Sequence, residues 1–112
     1  MFRNPNFKTV FLTQNHPMAE GSKAIICWNK IDKSVMIAAD KMPEKGGDKD
    51  FQLWAIVNGK PVDMGVLPVE MNGNFIVLPA TVENPQAFAI TLENKGGSLV
   101  PTLEQMYLAG NL

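Results

Sequence analysis

The chain has 112 residues, the size of one domain, and its 46% hydrophobic content supplies a core and argues against disorder. A net charge of −1 argues against general electrostatic attraction to nucleic acid. That charge is uneven: residues 1–60 carry nine Lys/Arg and six Asp/Glu, whereas residues 61–112 carry Lys95 and five acids. A well-solvated surface accounts for these counts better than a basic docking face does.

The opening run, Met1-Phe2-Arg3-Asn4-Pro5-Asn6-Phe7-Lys8, lacks the apolar stretch of a signal peptide. No apolar run nears the ~18–20 residues that span a bilayer. Taken literally this reads as a cytoplasmic protein, and a piece cut from a longer chain reads the same way. Strand signals follow. Lys8 to Thr13 alternates Val10 and Leu12 against Thr9, Phe11 and Thr13, and Lys23 to Asn29 alternates Ala24, Ile26 and Trp28 against Ile25, Cys27 and Asn29. Ser34 to Ala39 sets Val35, Ile37 and Ala39 on one face, and the polar turn Lys30-Ile31-Asp32-Lys33 predicts a hairpin between the last two runs.

Asp50 to Val57 places Phe51, Leu53, Ala55 and Val57 on one face and Gln52, Trp54 and Ile56 on the other. Both faces are largely apolar, so this is expected to be a central strand covered on both sides. Asn58-Gly59 suits a tight type I′ turn, with the return strand from Pro61 to Leu67. Asn72-Gly73 marks another turn, and Asn74 to Leu78 a short strand ending at Pro79. Ala87 to Glu93 alternates again, Gly96-Gly97-Ser98 closes it, and Met106 to Ala109 forms a last edge strand. The segment Thr102-Leu103-Glu104-Gln105 can begin one helical turn with Thr102 as N-cap. The expectation is a single all-β domain over residues 1–112, with 1–19 a short N-terminal segment and first strand. Seven or eight short antiparallel strands predict a β-sandwich, an immunoglobulin-like arrangement being one form of it and a small barrel the alternative.

Catalytic patterns are not found. Cys27, the single cysteine, sits in an apolar run and reads as a small buried hydrophobe. His16, the single histidine, sits in a loop-like setting without metal-ligand spacing. Gly46-Gly47 and Gly96-Gly97 read as turns, since neither has phosphate-loop spacing. Asp48 and Asp50 with Glu44 could make only a weak cation site, and a solvated acidic loop explains them better. Ser22, Ser34 and Ser98 lack an activating elbow. Trp28 and Trp54 lie in apolar runs, which favours core packing over a sugar-binding platform. No cofactor and no metal are expected.

Two stretches carry a resemblance. Phe51-Gln52-Leu53-Trp54-Ala55-Ile56 is followed by Asn58-Gly59-Lys60-Pro61-Val62 and Gly65-Val66. Further on, Phe88-Ala89-Ile90-Thr91-Leu92-Glu93-Asn94-Lys95-Gly96-Gly97-Ser98-Leu99-Val100 leads into Pro101-Thr102. In this order the two resemble the C-terminal domain of the anti-sigma-K factor family. Ala24 to Trp28, Met42-Pro43 and Tyr107-Leu108-Ala109-Gly110 fit the same pattern, so that the resemblance spans residues 20–112. Phe51 stands where the family has Tyr, and Ile90 where it has Val. The motif residues are Phe51, Gln52, Leu53, Trp54, Gly65, Thr91, Glu93, Gly96, Gly97, Ser98, Pro101 and Thr102. Positive φ is expected at Gly96 or Gly97. Glu93, on a face with Thr91, is expected to accept hydrogen bonds from loop amides and pin the Gly-Gly-Ser turn. Pro101-Thr102 is expected to stiffen the path to the last strand.

The resemblance implies a regulatory, non-enzymatic domain on the periplasmic or extracellular face of the cytoplasmic membrane. It implies a sigma factor as partner, bound by a cytoplasmic segment outside this chain, and a membrane helix that is likewise outside it. Met1 to Phe7 would then lie near the juxtamembrane stalk. Envelope proteases are the further expected partners, with release of the sigma factor gated by proteolysis. A carbohydrate- or protein-binding module of the envelope is the alternative.

Overall fold

The computed structural model describes residues 6–43, 46–68, 71 and 73–112. Eight strands run Phe7–Gln14 (β1), Lys23–Asn29 (β2), Ser34–Asp40 (β3), Lys49–Val57 (β4), Lys60–Val66 (β5), Ile76–Thr81 (β6), Ala87–Asn94 (β7) and Met106–Asn111 (β8). All pairings are antiparallel, in the order β5-β4-β7-β8-β1-β2-β3-β6. The domain is all-β. Its two end strands, β5 and β6, come together, so the sheet is nearly closed on itself.

The hinge of this arrangement is β1. Its first part pairs with β2, from Phe7↔Asn29 to Leu12↔Ala24, and its last two residues pair with β8, as Thr13↔Ala109 and Gln14↔Leu108. Gly110 makes the crossing possible. A Cβ there would stand 2.7 Å from the Phe11 carbonyl oxygen, so any side chain would push β8 off β1. Between the layers lies the core, which takes Val10 and Leu12 from β1, Ile26 and Trp28 from β2, Val35 and Ile37 from β3, Phe51 and Leu53 from β4, and Phe88 and Ile90 from β7. These are the alternating apolar positions of each strand, as a half-buried sheet requires.

Strand β4 is buried on both faces from Asp50 to Ala55, between β5 and β7. The β4–β5 turn has positive φ at both Asn58 (52°) and Gly59 (78°), the geometry of a tight type I′ turn. Two sequence expectations are corrected here: the last strand, β8, is not an edge strand, since it pairs with β7 on one side and β1 on the other and runs on to Asn111, and the sixth strand has different bounds. Strand β6 does not end at Pro79 but runs through it, from Ile76 to Thr81. Its pairing with β3 passes from Met36↔Val77 to Ser34↔Thr81, so β6 bulges around Pro79, on an end strand where a missing N–H costs little. Asn72 of the expected Asn72-Gly73 turn lies outside the described residues, and Gly73 has φ 87° and donates its N–H to the Ala39 carbonyl.

Candidate functional site

The motif residues of β4 and β7 divide by face. The pairs Phe51↔Leu92 and Leu53↔Ile90 point into the core, while Asp50↔Glu93, Gln52↔Thr91 and Trp54↔Ala89 form the outer face. Over that outer face lies residues 95–105, the strap between β7 and β8. It contains a one-turn 3₁₀ helix, Leu103–Gln105.

Glu93 holds the strap. Only 2% of it is exposed. Its Oε1 accepts from Ser98 Oγ at 2.9 Å and Thr102 Oγ1 at 2.7 Å, and its Oε2 accepts from Thr102 N at 2.8 Å and Thr91 Oγ1 at 2.6 Å. Four donors occupy the roughly four acceptor positions of a carboxylate. Burial pushes this carboxyl up and is the largest single influence. The Thr102 amide and the Thr91, Thr102 and Ser98 hydroxyls together outweigh it, and hold the group below its ordinary 4.5. Thr91 also accepts from Trp54 Nε1 at 2.8 Å, which makes a relay from indole through hydroxyl to carboxylate. Thr102 precedes the 3₁₀ turn as expected, but its hydroxyl does not cap it. A charge-assisted bond to Glu93 takes the hydroxyl instead.

Gln52 is the second fastening. Its Oε1 accepts from Ser98 N at 2.8 Å, and its Nε2 donates to the Ser98 carbonyl at 3.1 Å and to Asp63 Oδ1 at 2.8 Å. Asp50 is the third, accepting from Gly96 N at 2.9 Å. Gly96 and Gly97 have φ of 92° and 90°. At Gly97 a Cβ would also stand 3.0 Å from Gln52 Oε1 and 3.1 Å from Val66 Cγ2, so the strap approaches β4 and β5 closely only without a side chain there. Gly65, with φ 107°, lies where the β4–β5 register shifts, and its N–H donates to Asp63 Oδ1. Phe51 and Leu53 belong to the core, not to this face. Beside the strap, an apolar cleft of about 400 Å³ is lined by Trp54, Ile56, Pro61, Val100, Pro101 and Leu103, among others.

The remaining candidates are placed elsewhere. Cys27 is buried. His16 stacks on Tyr107 at 4.6 Å, and its Nδ1 accepts from Met18 N. Trp28 is buried, with its Nε1 donating to the Val82 carbonyl. Ser22 Oγ donates to the Lys41 carbonyl, and Ser34 begins β3. Asp48 stays exposed, its carbonyl accepting from Lys95 N, while Asp50 lies within β4 and binds the strap. Glu44 lies outside the described residues. Among the described residues no group of three or more His, Cys, Asp or Glu side chains is placed to hold a metal ion. Sequence reasoning missed Asp50 and Asp63 as fastenings; the Asp50↔Glu93 juxtaposition needs the strand register, which periodicity alone does not supply.

Residues 3–106 match the sequence profile of the family described as anti-sigma-K factor rskA, C-terminal. No curated protein and no solved structure matches the chain.

Proposed function

This chain belongs to the anti-sigma-K factor rskA C-terminal family, and from that membership we propose that it acts outside the cytoplasmic membrane, as the part of an anti-sigma factor that decides when its sigma factor is released. The family supplies the coarse role, an anti-sigma factor domain with a sigma factor as partner. In the finer reading the sigma factor is held by a cytoplasmic segment beyond these residues, and the folded domain restrains envelope proteases from the stalk.

One observation supports that reading. The polar groups of the family-like motif are spent on one another: every donor to Glu93 comes from the domain itself, and its acceptor positions are filled. Such a constellation stabilises a folded shape; it does not present a reactive group. A protease that attacks a fast-opening state follows the open population, which rises about tenfold for each ~1.4 kcal/mol of stability lost.

The test is made in the full-length protein. Trp54 is 1% exposed, and Trp54→Ala is expected to cost ~3–5 kcal/mol, the range for losing a large buried aromatic. Cleavage should rise, and a reporter for the sigma factor's genes should switch on without any signal. Exposed Lys95→Ala should change neither, since surface substitutions usually stay within ~0.5 kcal/mol. Suppose Trp54→Ala unfolds the isolated domain while the full-length protein stays intact and the reporter silent. Then the domain is no protease shield, and binding through the cleft beside Trp54 becomes the better account.

A further inference from the structure

The strap and the core share no apolar residue. The buried cluster and the partly buried side chains packed on it include none from 95 to 105. The strap's own large apolar side chains put little area on the domain: Leu99 is 96% exposed, Val100 69% and Leu103 67%. Burial of its own apolar side chains therefore contributes little to holding it, beyond the cover it gives Trp54. What holds it is polar: three bonds from Ser98 and Thr102 to Glu93, two between Ser98 and Gln52, one from Gly96 to Asp50, and one from the Lys95 amide to the Asp48 carbonyl.

Among these acceptors Glu93 is the most heavily bonded, and each of its donors is neutral. Among the described residues, the charged groups near it are as follows. Asp50 stands opposite it on β4, and Asp63 on β5 reaches the site through Gln52. Lys49 on β4 donates to Asn94, one residue past Glu93. Lys95 and Glu104 on the strap are exposed, and β8 carries no charged residue. Neutral donors bind a carboxylate about twice as strongly as a neutral acceptor. Removing the charge therefore weakens every fastening at Glu93 together.

We propose that residues 95–105 form a lid that opens as a unit of its own, locked by the ionised Glu93 carboxylate, while the eight-stranded core stays closed. Opening removes the strap side of the cleft and uncovers Trp54 on its floor. The proposal concerns this chain alone and stands apart from the reading that the domain gates proteolysis.

Native-state hydrogen exchange on this chain tests it, comparing the Ser98 and Thr102 amides with those of Leu53 and Ile90 in the β4–β7 ladder. The strap amides should exchange at least about tenfold faster than the ladder and respond little to low denaturant, the mark of local opening. Glu93→Gln puts an amide NH₂ where two donors now point. It should speed exchange at Ser98 and Thr102 by about tenfold or more, the scale of charge-assisted bonds, while Leu53 and Ile90, accelerated by no more than the same factor, stay at least about tenfold slower than the strap. Exchange of strap and ladder at one common rate, or an unchanged strap in Glu93→Gln, overturns the proposal. Should that variant not fold, the parent chain answers alone. As pH falls below 4.5, Ser98 and Thr102 should lose protection before Leu53 and Ile90 do, after correction for intrinsic rates. Simultaneous loss overturns it equally.

Discussion

The inner and outer faces of the β4–β7 pair share a backbone ladder and little else. Inward, Phe51, Leu53, Ala55, Phe88 and Ile90 meet apolar residues from the other strands, and any well-packed hydrophobic set of the same volume would serve. Outward, Gln52, Trp54, Thr91 and Glu93 make bonds that depend on atom type and direction. The first face stabilises a fold; the second determines where one loop lies. Non-directional burial explains why these strands associate, but not why residues 95–105 follow the path they do.

The sharpest way to break this contrast is a lesion on the inner face. Phe88 is fully buried, opposite Ala55 on β4 and Gly110 on β8. Phe88→Ala should cost ~3–5 kcal/mol, lowering the urea midpoint with the slope of the transition unchanged. Protection should fall in every strand, whereas the strap, which exchanges by its own opening, should change less. If only the strap loosened, the two faces would not be separate in the way described.

The inner face was the more legible one. Period-2 alternation assigns Leu53 and Ile90 inward without knowledge of their partners. The same alternation places Thr91 and Glu93 together on the outer face, as the sequence suggests. What alternation cannot supply is contact between distant residues: Gln52 with Ser98 and Asp50 with Gly96, each 46 positions apart. Local rules also mislead where a stronger partner competes. Thr102 stands at an N-cap position, yet its hydroxyl goes to a buried carboxylate. Pro79 looks like a strand end, yet a bulge accommodates it. Gly110 carries no local signal of its role, which comes from the Phe11 carbonyl on another strand.

A smaller effect sharpens the outer half of the contrast. Thr91→Val keeps a β-branched shape but removes the relay hydroxyl. Trp54 Nε1–H then loses its acceptor and Glu93 one of its donors. Leaving a buried donor unsatisfied costs ~1–3 kcal/mol, so the variant should be destabilised by about that amount, as read from urea unfolding. Thr91→Ser, which retains the hydroxyl, should recover most of the loss. Equal destabilisation by Ser and Val would mean that the γ-methyl matters and the hydroxyl does not, and the outer face would then be as non-directional as the inner.

The smallest effect at neutral pH is the protonation of Glu93, and its sign distinguishes the faces, because the core cluster carries no carboxyl group. The folded protein holds this carboxyl below its ordinary 4.5. The unfolded chain therefore binds the proton first as pH falls, and stability declines in acid. The contribution is complete above about pH 4.5, the ordinary value, and is lost as pH falls through the lower folded value. Asp32 is also lowered, by hydrogen bonds from the Ser34 hydroxyl and amide, and adds a slope of the same sign. It lies in the β2–β3 turn, and it persists in Glu93→Gln, so a comparison of the two proteins removes it. Urea midpoints measured from pH 7 downward should fall more steeply for the parent than for Glu93→Gln once pH drops below 4.5, with the two curves parallel above it. Parallel curves throughout would mean that the carboxylate's charge adds nothing to its four bonds, and that the strap is held by shape alone.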